Sequence, residues 1–201
     1  MSRLVLASGN PGKLREMRAL LAPLALEVVA QDALGISEAE EPHRTFLENA
    51  LAKARHASRA SGLPALADDS GLCVAALGGG PGVDSAVFAG AEGDRATRDA
   101  RNNAKLIQAL QGQADRRAEY VCVMVLVRHA QDPRPIVVEG AWQGLIVSAP
   151  RGENGFGYDP FFFVEPVGCT AAELDAETKN RLSHRGLAVA RLIQRLREER
   201  I

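Results

Sequence analysis

Residues 3 to 17, Arg-Leu-Val-Leu-Ala-Ser-Gly-Asn-Pro-Gly-Lys-Leu-Arg-Glu-Met, carry a short apolar strand through a Gly/Asn/Pro turn straight into a lysine and an amphipathic helix. A backbone builds an anion site in this way. The turn leaves N–H groups unpaired around one spot, the helix N-terminus adds partial positive charge, and the Lys13 ammonium adds a full one. Phosphate is the guest such a site suits. The Walker spacing G-x-x-x-x-G-K-[ST] is absent, with Leu14 where a magnesium-binding hydroxyl would stand, and so is the dinucleotide pattern G-x-G-x-x-G. The segment also reads as an ordinary strand, turn and helix with a capping Ser or Asn.

Strands and helices continue to alternate along the chain. After a helix from about Gly12 to Ala22, Leu26 to Gln31 reads as a second strand. Thr45-Phe46-Leu47-Glu48 has the form of a capping box, and the helix it opens has Phe46, Leu47, Ala50, Leu51 and Ala54 on its apolar face, with Gly62 and Pro64 to end it. Pro64 to Asp69 and Gly71 to Leu77 read as two short strands around a polar tip, and the glycines from Gly78 to Gly82 mark a loop. A helix is predicted from about Asp94 to Gln111. Ala118 to His129 and Pro135 to Val147 read as a hairpin around a Gln131–Arg134 turn. Thr170-Ala171-Ala172-Glu173 caps one further helix, and Leu187 to Arg200 forms the last. Neighbouring βα units plus a hairpin predict an α/β fold, a mixed sheet flanked by helices, with a cleft between two lobes.

A chain of 201 residues has room for one bilobed domain over 1–201 but not for two independent ones. Its 24 basic and 25 acidic residues leave a net charge of −1, so nothing draws it as a whole to nucleic acid or to an anionic membrane. The apolar run Val121–Val127 is far short of the roughly 20 residues a bilayer crossing needs, and no leader pattern is seen, so a cytoplasmic protein is expected. Cys73, Cys122 and Cys169 are widely spaced, odd in number and mostly set in apolar runs, which predicts reduced buried thiols rather than disulfides or zinc. Of the cations 20 are Arg and only four are Lys, and three of those lysines, Lys13, Lys53 and Lys179, stand in or beside motifs. A compact ammonium suits phosphate as a point charge, where Arg is a planar fork.

Chemistry concentrates in four places, the turn above being the first. The second is acidic: Glu38, Glu40 and Glu41 precede the Thr45 helix, and Asp68-Asp69-Ser70-Gly71 occupies the expected tip. Adjacent aspartates repel if buried, and a divalent cation relieves that cost. Magnesium, which takes one or two carboxylates and leaves its other positions to water and phosphate, is the natural choice. A solvated Asx turn is the alternative. The third, Gly155-Phe156-Gly157-Tyr158-Asp159-Pro160, would let a ring lie flat against a planar ligand with Asp159 at its edge, or tuck its aromatics into the core. The fourth, Lys179 with Ser183-His184-Arg185, offers a row of donors suited to O6 and N7 of a 6-oxopurine, or a solvated helix terminus.

Taken together, Ser8-Gly9-Asn10 with Lys13, Thr45-Phe46-x-Glu48-Asn49-Ala50-x-x-Lys53-Ala54, Ala67-Asp68-Asp69-Ser70-Gly71-Leu72, Gly155 to Pro160 and Ser183-His184-Arg185 resemble the inosine triphosphate pyrophosphatases, which act on dITP, ITP and XTP. The resemblance implies an elongated mixed α/β fold with the active site between two lobes, a homodimer, a magnesium requirement, and hydrolysis of a nucleoside triphosphate to monophosphate and pyrophosphate. It implies Asp69 as base and metal ligand, Glu40 or Glu41 completing the magnesium site, and Asp68 assisting. Ser8, Gly9, Asn10, Pro11, Gly12, Lys13 and Lys53 would hold the phosphate tail and Ser70 would contact the nucleotide. Phe156, within the Gly157-Tyr158 loop, would stack on the base. Asp159 and Lys179 would read or position that base, with His184 and Arg185 donating to its 6-oxo group. One departure is visible: Ser85-Ala86-Val87-Phe88 stands where members often carry Ser-Ala-Arg-Tyr. The rival readings are a modified-nucleotide pyrophosphatase of the septum-inhibition type, which typically has an arginine-rich first loop, and a nucleotide-sensing module without catalysis.

Overall fold

Along β1 (Arg3–Leu6), successive side chains point to opposite sides, and both sides are buried. A computed structural model describes residues 3–22 and 26–199. After β1 come α1 (Pro11–Leu21), β2 (Glu27–Ala30), α2 (Phe46–Ser61), β3 (Ala65–Val74), α3 (Arg95–Ala109), β4 (Arg117–Val127) and β5 (Ile136–Ile146). The chain closes with β6 (Phe162–Val164), β7 (Cys169–Thr170), α4 (Ala176–Leu182) and α5 (His184–Glu198). The seven strands form one sheet in the order β2-β1-β3-β4-β5-β6-β7, parallel where β1 meets β2 and β3, antiparallel where β6 meets β5 and β7. The expected mixed α/β sheet is therefore present, and β4 and β5 are neighbours as a hairpin requires.

The chain divides into two compact units. The first comprises the residues up to Asp69, Cys122–Gly140 and those from His184 onward. Its strands β1 and β4 and the part of β3 up to Asp69 are buried on both faces. Leu4, Leu6, Leu66, Cys122, Met124 and Leu126 meet Met17 and Leu21 of α1 and Ala188, Val189, Leu192 and Leu196 of α5. The alternate residues Val5, Ala7, Ala65, Ala67, Val125 and Val127 meet Ala50, Ala54 and Ala57 of α2. Large side chains fill one layer, while the alanines of the other let α2 lie close to the sheet. Approach is also close at Gly140, where an added Cβ would stand 2.0 Å from the His184 carbonyl oxygen.

The second unit comprises Ser70–Val121 and Ala141–Ser183. Its core joins Leu72, Val74, Leu106, Leu110, Tyr120, Trp142 and Phe162, with the Phe162 ring centred 4.6 Å from Tyr120 and 5.3 Å from Trp142. All three cysteines are free, but only Cys122 is buried as expected; Cys73 and Cys169 are half-buried. Among the described residues no helix is long and apolar enough to cross a membrane.

Three expectations are corrected. The two short strands around a polar tip are one continuous strand, β3, followed by a tight helical turn over Ala75–Leu77, because the aspartates are neutralised where they stand and no break is needed. The last helix starts at His184 rather than Leu187, and its expected end at Arg200 lies outside the described residues. Thr170 and Glu173 do form a reciprocal capping box, but on a single turn over Ala171–Glu173 rather than on a longer helix.

Candidate active site

Asp68 and Asp69 sit in the interior of β3 with only 2% and 5% of their surfaces exposed. Strand alternation sends them to opposite faces, so they are chain neighbours but not a facing pair. Asp68 shares the face of Leu66 and Cys122, which α1 and α5 cover, and each of those helices brings it a cation. Lys13 Nζ is 2.9 Å and Arg185 Nη2 3.5 Å from Asp68 Oδ2. Asp69 shares the α2 face, where Lys53 Nζ is 3.1 Å from Oδ1 and Asn49 Nδ2 is 3.3 Å from Oδ2.

The two carboxyls are thereby set apart electrically. Burial alone would raise Asp68, but Lys13, Arg185 and Lys53 outweigh it and hold the carboxyl well below the usual carboxylate range. For Asp69 burial wins over Lys53 and Lys13, with Glu41 adding to it, and the carboxyl is raised from its ordinary value. Burial followed by the charge of Asp68 pushes the Cys122 thiol, 3.9 Å away, up to about 12.

Lys53 also bonds Glu41 Oε1 at 2.6 Å, and Arg185 bonds Glu16. Lys13, Lys53 and Arg185 thus face Glu16, Glu41, Asp68 and Asp69, three cations against four carboxylates. Of the two glutamates expected at a metal, Glu41 is brought to this network. Glu40 makes no hydrogen bond or ion pair among the described residues. Glu38 lies against the turn, its Oε1 2.0 Å from where a Gly9 Cβ would stand. Asn49 holds the acidic segment in place, accepting from His43 N–H at 3.0 Å and donating to the His43 carbonyl at 3.3 Å. Among the described residues no three His, Cys, Asp or Glu side chains are clustered as a metal cage.

The first turn is less open than its sequence predicts. Asn10 caps α1, and its Oδ1 accepts from Gly12 N–H at 2.9 Å and Lys13 N–H at 3.3 Å, while Ser8 Oγ accepts from Asn10 N–H at 3.2 Å. Two of the amides expected to face an anion are satisfied by the cap, Pro11 has none to offer, and the Lys13 ammonium is turned to Asp68.

In the second unit Phe156 is half-buried, with the Arg95 guanidinium 4.5 Å and Lys179 Nζ 4.9 Å from its ring centre. Asp159 is expected at the edge of a base. It is buried inside its own loop instead, where Oδ2 accepts from Phe156 N–H at 2.8 Å and from Lys179 Nζ at 2.7 Å. Gly155 must lack a side chain for this, since a Cβ would stand 2.1 Å from that oxygen. Tyr158, expected near substrate, is a core residue whose hydroxyl donates to the Ser85 carbonyl at 2.7 Å, and burial followed by Asp99 raises its phenol. Ser70, next to Asp69, is half-buried on β3.

A sequence profile of the Ham1 family matches residues 4–195. The chain belongs to the Ham1 family. A protein from Nitrosomonas europaea named dITP/XTP pyrophosphatase is 61% identical, over 98% of this chain and 96% of its own. One of the same name from Ralstonia nicotianae is 62% identical over 98% of both. Among solved structures, a Ham1 protein from Coxiella burnetii matches with a TM-score of 0.91 and 46% identity, covering 98% of this chain and all of that one. The Staphylococcus aureus Ham1 protein gives 0.85 and 37%, covering 98% and 99%.

In this Ham1 chain Arg185, expected as a donor to a base, has 2% of its surface exposed and is paired with Asp68 and Glu16. Burial disfavours the charge, yet the Asp68 and Glu16 carboxylates keep the guanidinium firmly protonated. His184, also buried, opens α5 beside it. Sequence reasoning missed Glu16, Asn49, Asp99, Asn102 and Asn103. Asn49 lay inside a quoted motif without a role, and Glu16 could have been found as a carboxylate one helical turn beyond Lys13. Asn102 accepts from Ala89 N–H at 2.7 Å and donates to the Ser85 and Ala86 carbonyls at 3.2 and 3.1 Å, which fixes the segment of the Val87-Phe88 departure. There Lys105, the lysine without a motif, lies over the Phe88 ring, 4.3 Å from its centre.

Proposed function

We propose that this chain hydrolyses dITP, ITP and XTP to the nucleoside monophosphate and pyrophosphate. The observation that carries the reading is the pairing of Asp68 and Asp69, on opposite faces of one strand, with Lys13 and Lys53 from two different helices. Two ammonium groups that hold only carboxylates can exchange them for the oxygens of a polyphosphate, and the full-length relatives named dITP/XTP pyrophosphatase support the choice of substrate. In this reading Lys13 and Lys53, with Ser8 and the Gly9-Asn10-Pro11-Gly12 turn, bind the phosphate tail, and Ser70 contacts the nucleotide. Asp69, freed from Lys53, takes a proton from water as its oxygen bonds the α-phosphorus and the bond to the β-phosphate oxygen breaks, releasing pyrophosphate. A carboxyl raised by burial suits a base.

Magnesium fits this site. Glu41 and Asp69 converge as hard oxygen donors on a single cation, Lys53, Asp68 Oδ1 is buried without a hydrogen bond, and the network holds one more carboxylate than cation. Asp69 and Glu41 would hold the ion, with Asp68 and Glu40 in support, and the ion would neutralise phosphate charge as the reaction proceeds. Phe156 stacks on the base, Lys179 and Asp159 position it, and His184 donates to the 6-oxo group, with Arg185 acting through Asp68 and Glu16. A 6-amino group would set donor against donor, which costs about 1–3 kcal/mol per contact. The active species is a homodimer in the cytoplasm, and light scattering at twice the chain mass of 21.4 kDa tests the dimer. Incubation with ITP and magnesium should release IMP and pyrophosphate. Release of orthophosphate, or equal turnover of ATP, would overturn the reading.

A further inference from the structure

Arg95, Asp99 and Asn103 recur every fourth residue and so share one face of α3. Asp99 Oδ2 accepts from the Gly157 N–H at 3.0 Å, and Asn103 Nδ2 donates to the Gly157 carbonyl at 2.9 Å. Arg95 Nε lies 3.6 Å from the same Asp99 oxygen, and its guanidinium covers the Phe156 ring. Gly157 has φ +65°, which glycine adopts without strain, and these two hydrogen bonds hold both of its backbone polar groups. On the other side of Phe156, Asp159 takes the Phe156 N–H. The backbone is pinned before and after a ring that itself stays half-buried.

We infer that Asp99 and Asn103 are positioning residues for substrate binding: they hold Gly157 so that Phe156 is presented for stacking, with the Arg95 guanidinium on the ring until a planar base displaces it. This rests on the assignment of Phe156 to the base made above. A ring ordered before binding removes that ordering cost from the binding step, so the clamp belongs to substrate affinity and not to bond cleavage. The neighbouring Asn102, which braces Ser85 to Ala89, shows that α3 divides its side chains between two loops and gives Asp99 and Asn103 to the one that carries Phe156.

The test compares Asp99→Ala, Asn103→Ala and Asp99→Asn in the full chain. Each alanine variant should raise KM for ITP about fivefold to tenfold, part of the worth of one stacked base, with kcat within about twofold. Inhibition by inorganic pyrophosphate, which occupies phosphate positions only, should not change. Asp99→Asn keeps an acceptor for the Gly157 N–H and should restore most of the affinity. In a Phe156→Ala background Asp99→Ala should add little, because both changes act on the same ring. Hydrogen exchange at the Gly157 amide should quicken in Asp99→Ala whatever the activity. Faster exchange with unchanged KM, or a matching loss in kcat and pyrophosphate binding, would overturn the inference and leave the proposed function standing. A wild-type chain that leaves ITP intact would overturn both.

Discussion

The acidic site and the aromatic loop reach their geometry by different routes. Asp68 and Asp69 are placed by regular structure: one strand alternates, helices cover both its faces, and each helix delivers a cation to the carboxylate on its side. Phe156 is placed by point contacts to irregular backbone, from Asp99, Asn103 and Asp159. A site built into a strand shares its energetics with the fold, so stripping a buried carboxylate of its cation reaches stability as well as chemistry. A loop held by a few half-buried hydrogen bonds can be loosened while the core stays as it is.

The sharpest way to break this comparison is to strike the two faces of β3 separately. Asp69→Asn should cut kcat for ITP by roughly 10²–10⁴, the usual worth of a general base, while the midpoint of thermal unfolding stays near wild type. Arg185→Met strikes the opposite face. Leaving Asp68 with one fewer cation in the interior should cost about 3 kcal/mol in urea unfolding, and kcat/KM should fall by similar factors for ITP and ATP. A loss confined to ITP would return Arg185 to the base. In the loop, Phe156→Ala should raise KM for ITP about tenfold, the worth of one stacked ring, without changing the unfolding free energy. A stability loss there would erase the contrast between the two regions.

The smallest expected effect concerns the β4–β5 connection of the first unit. Asp132 closes the β4–β5 connection by accepting from the N–H groups of Arg128 and Arg134, each at 2.9 Å, and from the Arg128 guanidinium. Burial would raise this carboxyl, but those donors win and lower it. A group lower in the folded than in the unfolded chain stabilises above the unfolded value, about 3.9 for Asp, and that stabilisation is lost as the pH falls through the folded value. Asp132→Asn should therefore cost about 1 kcal/mol at pH 7, and the gap in melting temperature from wild type should narrow below pH 4.

Much of this was legible in the order of residues. The apolar run Leu4-Val5-Leu6-Ala7, the Thr45 capping box with the apolar helix face behind it, and the apolar runs on either side of Gln131–Arg134 are local signals of strand and helix, and they yielded the α/β sheet. The motifs marked Lys13, Lys53, Asp69 and Phe156 because glycine, paired carboxylates and rare lysines stand out locally. What they could not show was partnership. Asp68 was expected to assist Asp69 with no cation of its own, Asp159 and Arg185 looked like readers of a base, and the asparagines of α3 had no role.

Those distinctions depend on residues far apart in the chain: Glu16 with Arg185, Lys13 with Asp68, Asp99 with Gly157. The sequence alone determined which elements form and which side chains bring charge, since backbone sterics and side-chain chemistry are local. Tertiary structure alone decided which charge meets which. A buried carboxylate must find its cation from whatever helix covers its face, and the neighbour it has in the chain points the other way.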